Sequence, residues 1–484
     1  MSPHRLAEDR FLRMLTADEV EKVHSTSLEI LETVGISTNS TKITELLTLS
    51  GAEIVAKTGN LTIPRSLVRD ALKSVPKTIS LFGRKENEMV LERGQVYFGF
   101  GGTPLHQLLD IDSGVTRVST KEDVANATRL GDALPNLSFM MAICGASDVP
   151  HQTEHLHELE VVFANTEKHV VWALPEGSTA KNAIAMASAV VGGLDELKKR
   201  PILSCYSESI SPLTFSTMNE DLVEFATAGL PVFFTGCPMA GLTGPATLIG
   251  TYALGNAETL AALAISQLIN PGTPFIYGPG MAVSDLRTLR FSFAAPEWAM
   301  GHIIQSQLAA LYQLPTFGWG GSSDSKVPDS QAGAEAGLMA LMSALSGINM
   351  IHCCGYLAGS DYGSMEMAVI CDEIAGWIFR VLDGTIVDEE SLALGVIRDI
   401  GSTGSYLKHK HTFAHLKKEV YVPTLFDRYN ELIWTQKGQK TIRDVAKERV
   451  KRILIEHYPE PLSDSIRGTL RTIVSAADSV LGNP

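Results

Sequence analysis

Eight short apolar runs recur through the middle of this chain, at 96–100, 139–144, 169–174, 202–206, 232–235, 274–277, 316–319 and 349–352. Each is followed by a segment with apolar residues at helical spacing: 121–134, 154–164, 179–191, 218–227, 245–269, 296–312, 331–345 and 365–381. Runs that are apolar throughout read as strands buried on both faces. Strands that alternate with helices are parallel to one another. Eight such units predict an α/β chain with a closed (β/α)8 barrel of the TIM type, rather than an open sheet.

The barrel is expected over 96–382, with a helical extension at 1–95 and a second at 383–484 packed on the barrel. In the first, Thr16 and Glu19 form a capping-box pattern ahead of Val20, Val23, Leu28 and Leu31, and Gly35 stops the helix. Further helices are expected at 42–49 and at 64–74, with Pro64 in the first turn of the latter. Between the first run and its helix, Asp112-Ser113-Gly114 is the turn of a hairpin over 105–118.

Bulk properties narrow the function. In 484 residues, 45% hydrophobic, a large core can form. A net charge of -14 argues against nucleic acid as the main partner. No apolar run approaches the roughly 20 residues of a membrane span. The N-terminal MSPHRLAEDRF has no signal-peptide core. Six cysteines without a CxxC pair are not a disulfide framework, so a cytoplasmic location with reduced thiols is expected.

In such a barrel the chemistry sits at the C-terminal ends of the strands. The residues delivered there are Phe98, Phe100, Thr103 and His106; Cys144 and Asp148; Trp172 and Glu176; Tyr206 and Glu208; Thr235 and Met239; Tyr277 and Met281; Trp319, Ser322 and Asp324; and His352, Tyr356 and Asp361. Many are aromatic. The run from Phe317 to Gly333, FGWGGSSDSKVPDSQAG, is a strand that breaks at Gly320-Gly321, presents Ser322, Ser323 and Asp324 in a polar turn, and restarts as a helix behind Asp329.

Ordered motifs cover nearly the whole chain. They are Gly101-Gly102-Thr103-Pro104-Leu105-His106, Asp110, Gly114, Ala133-Leu134-Pro135-Asn136, Ser211-Pro212-Leu213, Asn256-Ala257-Glu258, Pro296-Glu297, Ser364-Met365-Glu366, Asp427-Arg428 and, above all, Ser323-Asp324-Ser325-Lys326-Val327-Pro328-Asp329 with Gln331-Ala332-Gly333. In these the chain resembles the trimethylamine methyltransferase family. The resemblance implies a (β/α)8 barrel that moves a methyl group from a methylamine to the cobalt(I) of a corrinoid carried by a separate protein. No tightly bound cofactor and no metal of its own are expected, and no DxHxxG cobalt-ligating segment occurs in the chain. A homo-oligomer is hinted at. The founding members carry pyrrolysine just before the Ser-Asp step, where this chain has Ser322. That substitution resembles the betaine:corrinoid branch of the family.

The substitution is chemically coherent. A neutral tertiary amine would leave as an amide anion and needs activation, whereas a quaternary ammonium leaves as a neutral amine. The protein's task is then positioning and electrostatics. A trimethylammonium head is held by aromatic faces, with Phe98, Phe100, Trp172, Tyr206, Tyr277, Trp319 and Tyr356 as candidate walls. Core packing is the alternative role for each. Asp324, Glu208 and Glu297 could offset the charge, or cap and brace loops. A betaine carboxylate would fall to His352 and His106. Lys326 could pair with Asp329 or with corrinoid side chains. Ser322, Asp324 and Glu208 are the catalytic candidates, and glycine betaine is the favoured substrate because it is the smallest and commonest betaine. The barrel mouth should be open and partly apolar to admit the corrinoid.

Other readings stay open. A non-catalytic barrel that binds betaine or corrinoid needs no different residues. A zinc-dependent methyltransferase would draw on Cys144, Cys205, Cys237 and His352. GFGGTP at 99–104 lacks the lysine of a P-loop and the GxGxxG spacing, and reads as a strand-end turn. His151, His155 and His157 read as a polar helix surface. His409, His411 and His415 read as a solvated or subunit-contact face, or as a docking surface for the corrinoid protein.

Overall fold

The computed structural model describes residues 4–85, 87–173 and 179–481. The expected Glu176 and the last residue of the 169–174 run lie outside them.

Eight parallel strands form a ring: β1 (Gln95–Phe100), β2 (Leu137–Met140), β3 (His169–Ala173), β4 (Leu203–Glu208), β5 (Val232–Thr235), β6 (Phe275–Tyr277), β7 (Phe317–Trp319) and β8 (Met350–Cys354). Pairing runs β6-β5-β4-β3-β2-β1-β8-β7. The seam between β6 and β7 is closed by one parallel bridge, Tyr277 to Thr316, with the Tyr277 N–H donating to the Pro315 carbonyl at 2.9 Å. The strands are followed in turn by α1 (Lys121–Ala133), α2 (Glu154–Asn165), α3 (Ala180–Val191), α4 (Glu220–Ala228), α5 (Leu248–Ile269), α6 (Pro296–Tyr312), α7 (Ser330–Leu345) and α8 (Met365–Leu382). The (β/α)8 barrel read from the sequence is therefore the observed fold.

Side chains alternate across each strand, and this decides which of them can reach a ligand. Phe139, Val171, Ala173, Tyr206, Phe233, Ile276, Phe317 and Met350 pack with one another inside the ring. Their neighbours face the helices. A hairpin the sequence reading missed, Ile79–Phe82 with Glu88–Leu91, puts Ile79, Leu81, Met89 and Leu91 into the same inner cluster and plugs the ring. The hairpin at Asp112-Ser113-Gly114 is present, pairing Gln107–Leu109 with Thr116–Val118.

The helix Ala17–Thr33 begins with the expected Thr16–Glu19 capping box. Pro64 stands one residue outside its helix, at the N-cap of Arg65–Ser74, rather than in the first turn. Ala17–Thr33 and Arg65–Ser74 both pack on α5. At 22 residues, α5 is long and apolar enough to cross a membrane, which corrects the view that no such run exists. It is buried in the fold, and it is the one such helix among the described residues. Its Asn256 takes the Tyr277 hydroxyl at 2.6 Å and gives its amide to Ser27 and Tyr312 at 2.9 and 3.0 Å.

After α8, the helices Ile442–Glu456 and Asp464–Leu481 lie against the barrel helices. His155 and His157 are not a solvated surface, as first read. His155 is enclosed between Glu154 at 3.2 Å and Glu158 at 2.9 Å, and these two carboxylates outweigh burial to raise its pKa to about 9. His157 meets Asp478 at 3.1 Å and so ties the last helix down.

Candidate functional site

The loop after β7 is built first by its own sequence. Gly321, at φ +90°, turns the chain where a Cβ would lie 2.8 Å from the Cys354 sulfur. Ser323 donates to Glu335 of α7 at 2.6 Å, and the same carboxylate takes the Asp324 N–H at 2.9 Å. Asp329 caps α7 through the Ala332 N–H at 2.9 Å. Asp324 then reaches sideways. It accepts the Ser292 hydroxyl and the Phe293 N–H, the latter at 3.2 Å. Asp324 thus braces the β6–α6 loop instead of facing a ligand, and Lys326 donates to its carbonyl at 2.7 Å.

The braced loop closes one side of a cavity of about 470 Å³ at the C-terminal end of the ring. Tyr206, Trp319, Tyr356, Phe291 and Phe293 give it aromatic walls, and Thr103, Leu105, Glu208, Ser209, Ser211, Cys237, Thr243, His352, Cys353 and Ser360 complete it. Trp319 is pinned from behind. Its N–H donates to His302 Nε2 at 3.1 Å and its carbonyl accepts from Ser343 Oγ at 2.7 Å. That hydroxyl in turn accepts from His302 Nδ1 at 2.7 Å. The circuit needs a neutral imidazole, and burial holds the His302 pKa down at about 3. Trp319 also packs on Trp298, centroids 4.6 Å apart, and on His352 at 5.2 Å.

Glu208 ends β4 on the same face as Tyr206. It lies deep in the barrel yet is exposed, because what it faces is the cavity. Its carboxylate accepts a hydrogen bond from the Tyr206 hydroxyl at 3.2 Å, and burial raises its pKa. Glu258, by contrast, is saturated. It accepts from Ser209, Ser211 and the Leu213 N–H at 2.6, 2.7 and 2.8 Å, which shapes the loop after β4.

The structure gathers Tyr206, Glu208, Trp319, His352 and Tyr356 around one space, and turns other candidates away from it. Phe98, Phe100, Trp172 and Tyr277 occupy the outward phase of their strands. Phe98 meets Phe379 of α8 edge-on at 5.4 Å, and a Cβ on Gly131 of α1 would fall 2.7 Å from the Phe100 ring. Trp172 joins the outer core, and the Tyr277 hydroxyl is spent on Asn256. His106 stands on an outer loop, 53% exposed, with Ser147 at 3.1 Å. Ser322 is buried but is not among the residues that line the cavity. Cys205 faces outward to Asp221 of α4 at 3.2 Å, and no group of three or more potential metal ligands forms among the described residues. The sequence reading missed Phe291 and Phe293, whose only signal is two aromatics in a loop just ahead of Pro296, and His302, hidden in an apolar helix.

Residues 2–479 match the family model described as trimethylamine methyltransferase (MTTB). A trimethylamine methyltransferase of Desulfitobacterium hafniense (strain DSM 10664 / DCB-2) is 34% identical over 473 residues, 96% of this chain and 94% of its own length. A glycine betaine methyltransferase of Desulfitobacterium hafniense (strain Y51) is 34% identical over 476 residues, 97% and 98% of the two chains. In fold, the chain is similar to the hydroxylamine complex of MtmB, with a TM-score of 0.51, 13% identity, and coverage of 97% of this chain and 90% of that one.

Proposed function

The chain belongs to the trimethylamine methyltransferase family, and from that premise we propose that it transfers a methyl group from a quaternary amine to the corrinoid of a cognate partner protein. The observation that carries this reading is Glu208, a carboxylate facing an aromatic-walled cavity with, among the described residues, only a tyrosine hydroxyl bonded to it. Aromatic faces and a carboxylate are what a permanently charged ammonium needs, since it can neither donate a hydrogen bond nor lose its charge. Each well-placed face contributes roughly 0.5–2 kcal/mol.

The corrinoid supplies the electron pair that takes the methyl group. This chain's residues supply the rest. Tyr206, Trp319 and Tyr356 hold the head, with His302 keeping Trp319 in place. Glu208 balances the charge while the substrate is bound. As the C–N bond breaks, its electron pair stays on nitrogen and a neutral tertiary amine departs. No side chain need deliver a proton, which agrees with Ser322 at a position without a reactive group. The partner has room to dock: Ile210, Leu242, Leu286 and Leu289 are exposed on loops at the mouth end of the ring. Six free thiols accord with a reducing, cytoplasmic location.

The test is turnover with the reduced corrinoid partner and a panel of glycine betaine, proline betaine, carnitine, γ-butyrobetaine, choline and trimethylamine. At least one quaternary member should methylate the corrinoid and trimethylamine should not. Turnover of trimethylamine alone would sink the proposal. A barrel that only binds its ligand would take up quaternary amines without methylating the corrinoid.

A further inference from the structure

The cavity's charge narrows the substrate class, on the premise of the methyl-transfer reading above. Its lining holds one carboxylate and neither lysine nor arginine. The residues outside the described set cannot supply the missing side chain, since 1–3, 86, 174–178 and 482–484 read Met-Ser-Pro, Glu, Leu-Pro-Glu-Gly-Ser and Gly-Asn-Pro. Arg290, next to Phe291, is 62% exposed and paired with Asp361. Lys326 is bonded to the Asp324 carbonyl.

His352 does not fill the gap. Its Nδ1 lies 2.7 Å from the Gly318 carbonyl, which can only accept, so the proton is on Nδ1. Nε2 then presents a lone pair, which repels a carboxylate and accepts from a hydroxyl. The hydroxyls present are mostly committed. Ser209 and Ser211 donate to Glu258, and Tyr356 donates to the carbonyls of Thr103 and Ala142. Ser360 Oγ is buried and has no hydrogen-bond partner among the described residues.

We infer that this site selects a quaternary ammonium cation without a carboxylate, its head between the aromatic faces and Glu208 and a neutral, hydroxyl-like tail toward Ser360 and His352 Nε2. A zwitterion such as glycine betaine would bring its carboxylate into a space that already holds one and offers no cation to meet it. Like charges so placed are a strong basis for rejection.

Calorimetric titration of the full chain with choline, tetramethylammonium, glycine betaine and glycine betaine methyl ester tests this. The ester keeps the head and shape of glycine betaine and removes only the charge. Choline and the ester should bind about tenfold or more tightly than glycine betaine. Glu208→Gln should weaken the cations and bring the ester-to-betaine ratio close to one, a change of ratio that a merely structural role would not produce. The wild-type comparison stands without the variant. Glycine betaine binding as tightly as its ester would overturn the inference and leave the methyl-transfer proposal intact. Failure of all four to bind would overturn both.

Discussion

Glu208 stands inside the barrel with the Tyr206 hydroxyl bonded to it, and Cys237 and His352 line the same space. Its carboxyl is therefore raised, chiefly by burial. The sign follows: a protonated Glu208 offers nothing to a cation, so affinity should fall as pH drops through this raised pKa and level off above it. Binding of tetramethylammonium, which does not titrate, should trace that curve, and Glu208→Gln should flatten it. Trp319→Ala should raise KM by roughly 3- to 30-fold, the loss of one aromatic face. His302→Phe keeps the stack but removes the acceptor of the Trp319 backbone N–H and the imidazole partner of Ser343, whose hydroxyl bonds the Trp319 carbonyl. It should raise KM less than Trp319→Ala, and steady-state kinetics with one quaternary substrate checks the order. Trp319 was legible in the sequence because it stands at a strand end beside the polar turn. His302 was not, because one histidine in an apolar helix looks the same whether it fills space or holds a neighbour.

At the scale of elements, the strand beat located the barrel, but its phase was hidden. Strands buried on both faces give no apolar-polar alternation to say which side faces in. Phe98, Phe100, Trp172 and Tyr277 were therefore indistinguishable from Tyr206 and Trp319. The plug at Ile79–Phe82 and Glu88–Leu91 was missed because two short strands outside the repeat carry no periodic signal. Leu81 is fully buried in it, and Leu81→Ala should cost about 2–5 kcal/mol in denaturant unfolding. His155 makes a pH prediction for α2. Its pKa is raised above the free value, so its contribution is complete below about pH 6.5 and is lost as pH rises through about 9. That contribution is on the order of 3 kcal/mol. Thermal stability should decline over this window, and His155→Gln should remove much of the decline.

For the whole molecule, the exposed stretch after α8 stands out. The helices Glu389–Leu392, Leu394–Ile400, Lys410–Glu419 and Glu431–Gln436 bury no residue, yet Leu392, Ile397, Leu407, Phe413, Leu416 and Leu432 are exposed on them or beside them. A groove of about 890 Å³ between α7 and α8, lined by Leu338, Leu341, Ile374 and Trp377, is also strongly apolar. Surfaces of this kind ask for a cover. The expected cover is a second copy of the chain, so light scattering should return a multiple of 52.2 kDa, and Phe413→Glu with Leu416→Glu should reduce it. A monomer in the wild type would contradict this. The central claim, that an unassisted quaternary ammonium gives its methyl group to a corrinoid, is tested most directly by one turnover. Methyl-labelled choline is mixed with this protein and its reduced corrinoid partner, and both products are counted. The account predicts one neutral tertiary amine released for each corrinoid that gains a labelled methyl group. Bound substrate with no label transferred, or transfer from trimethylamine instead, would contradict it.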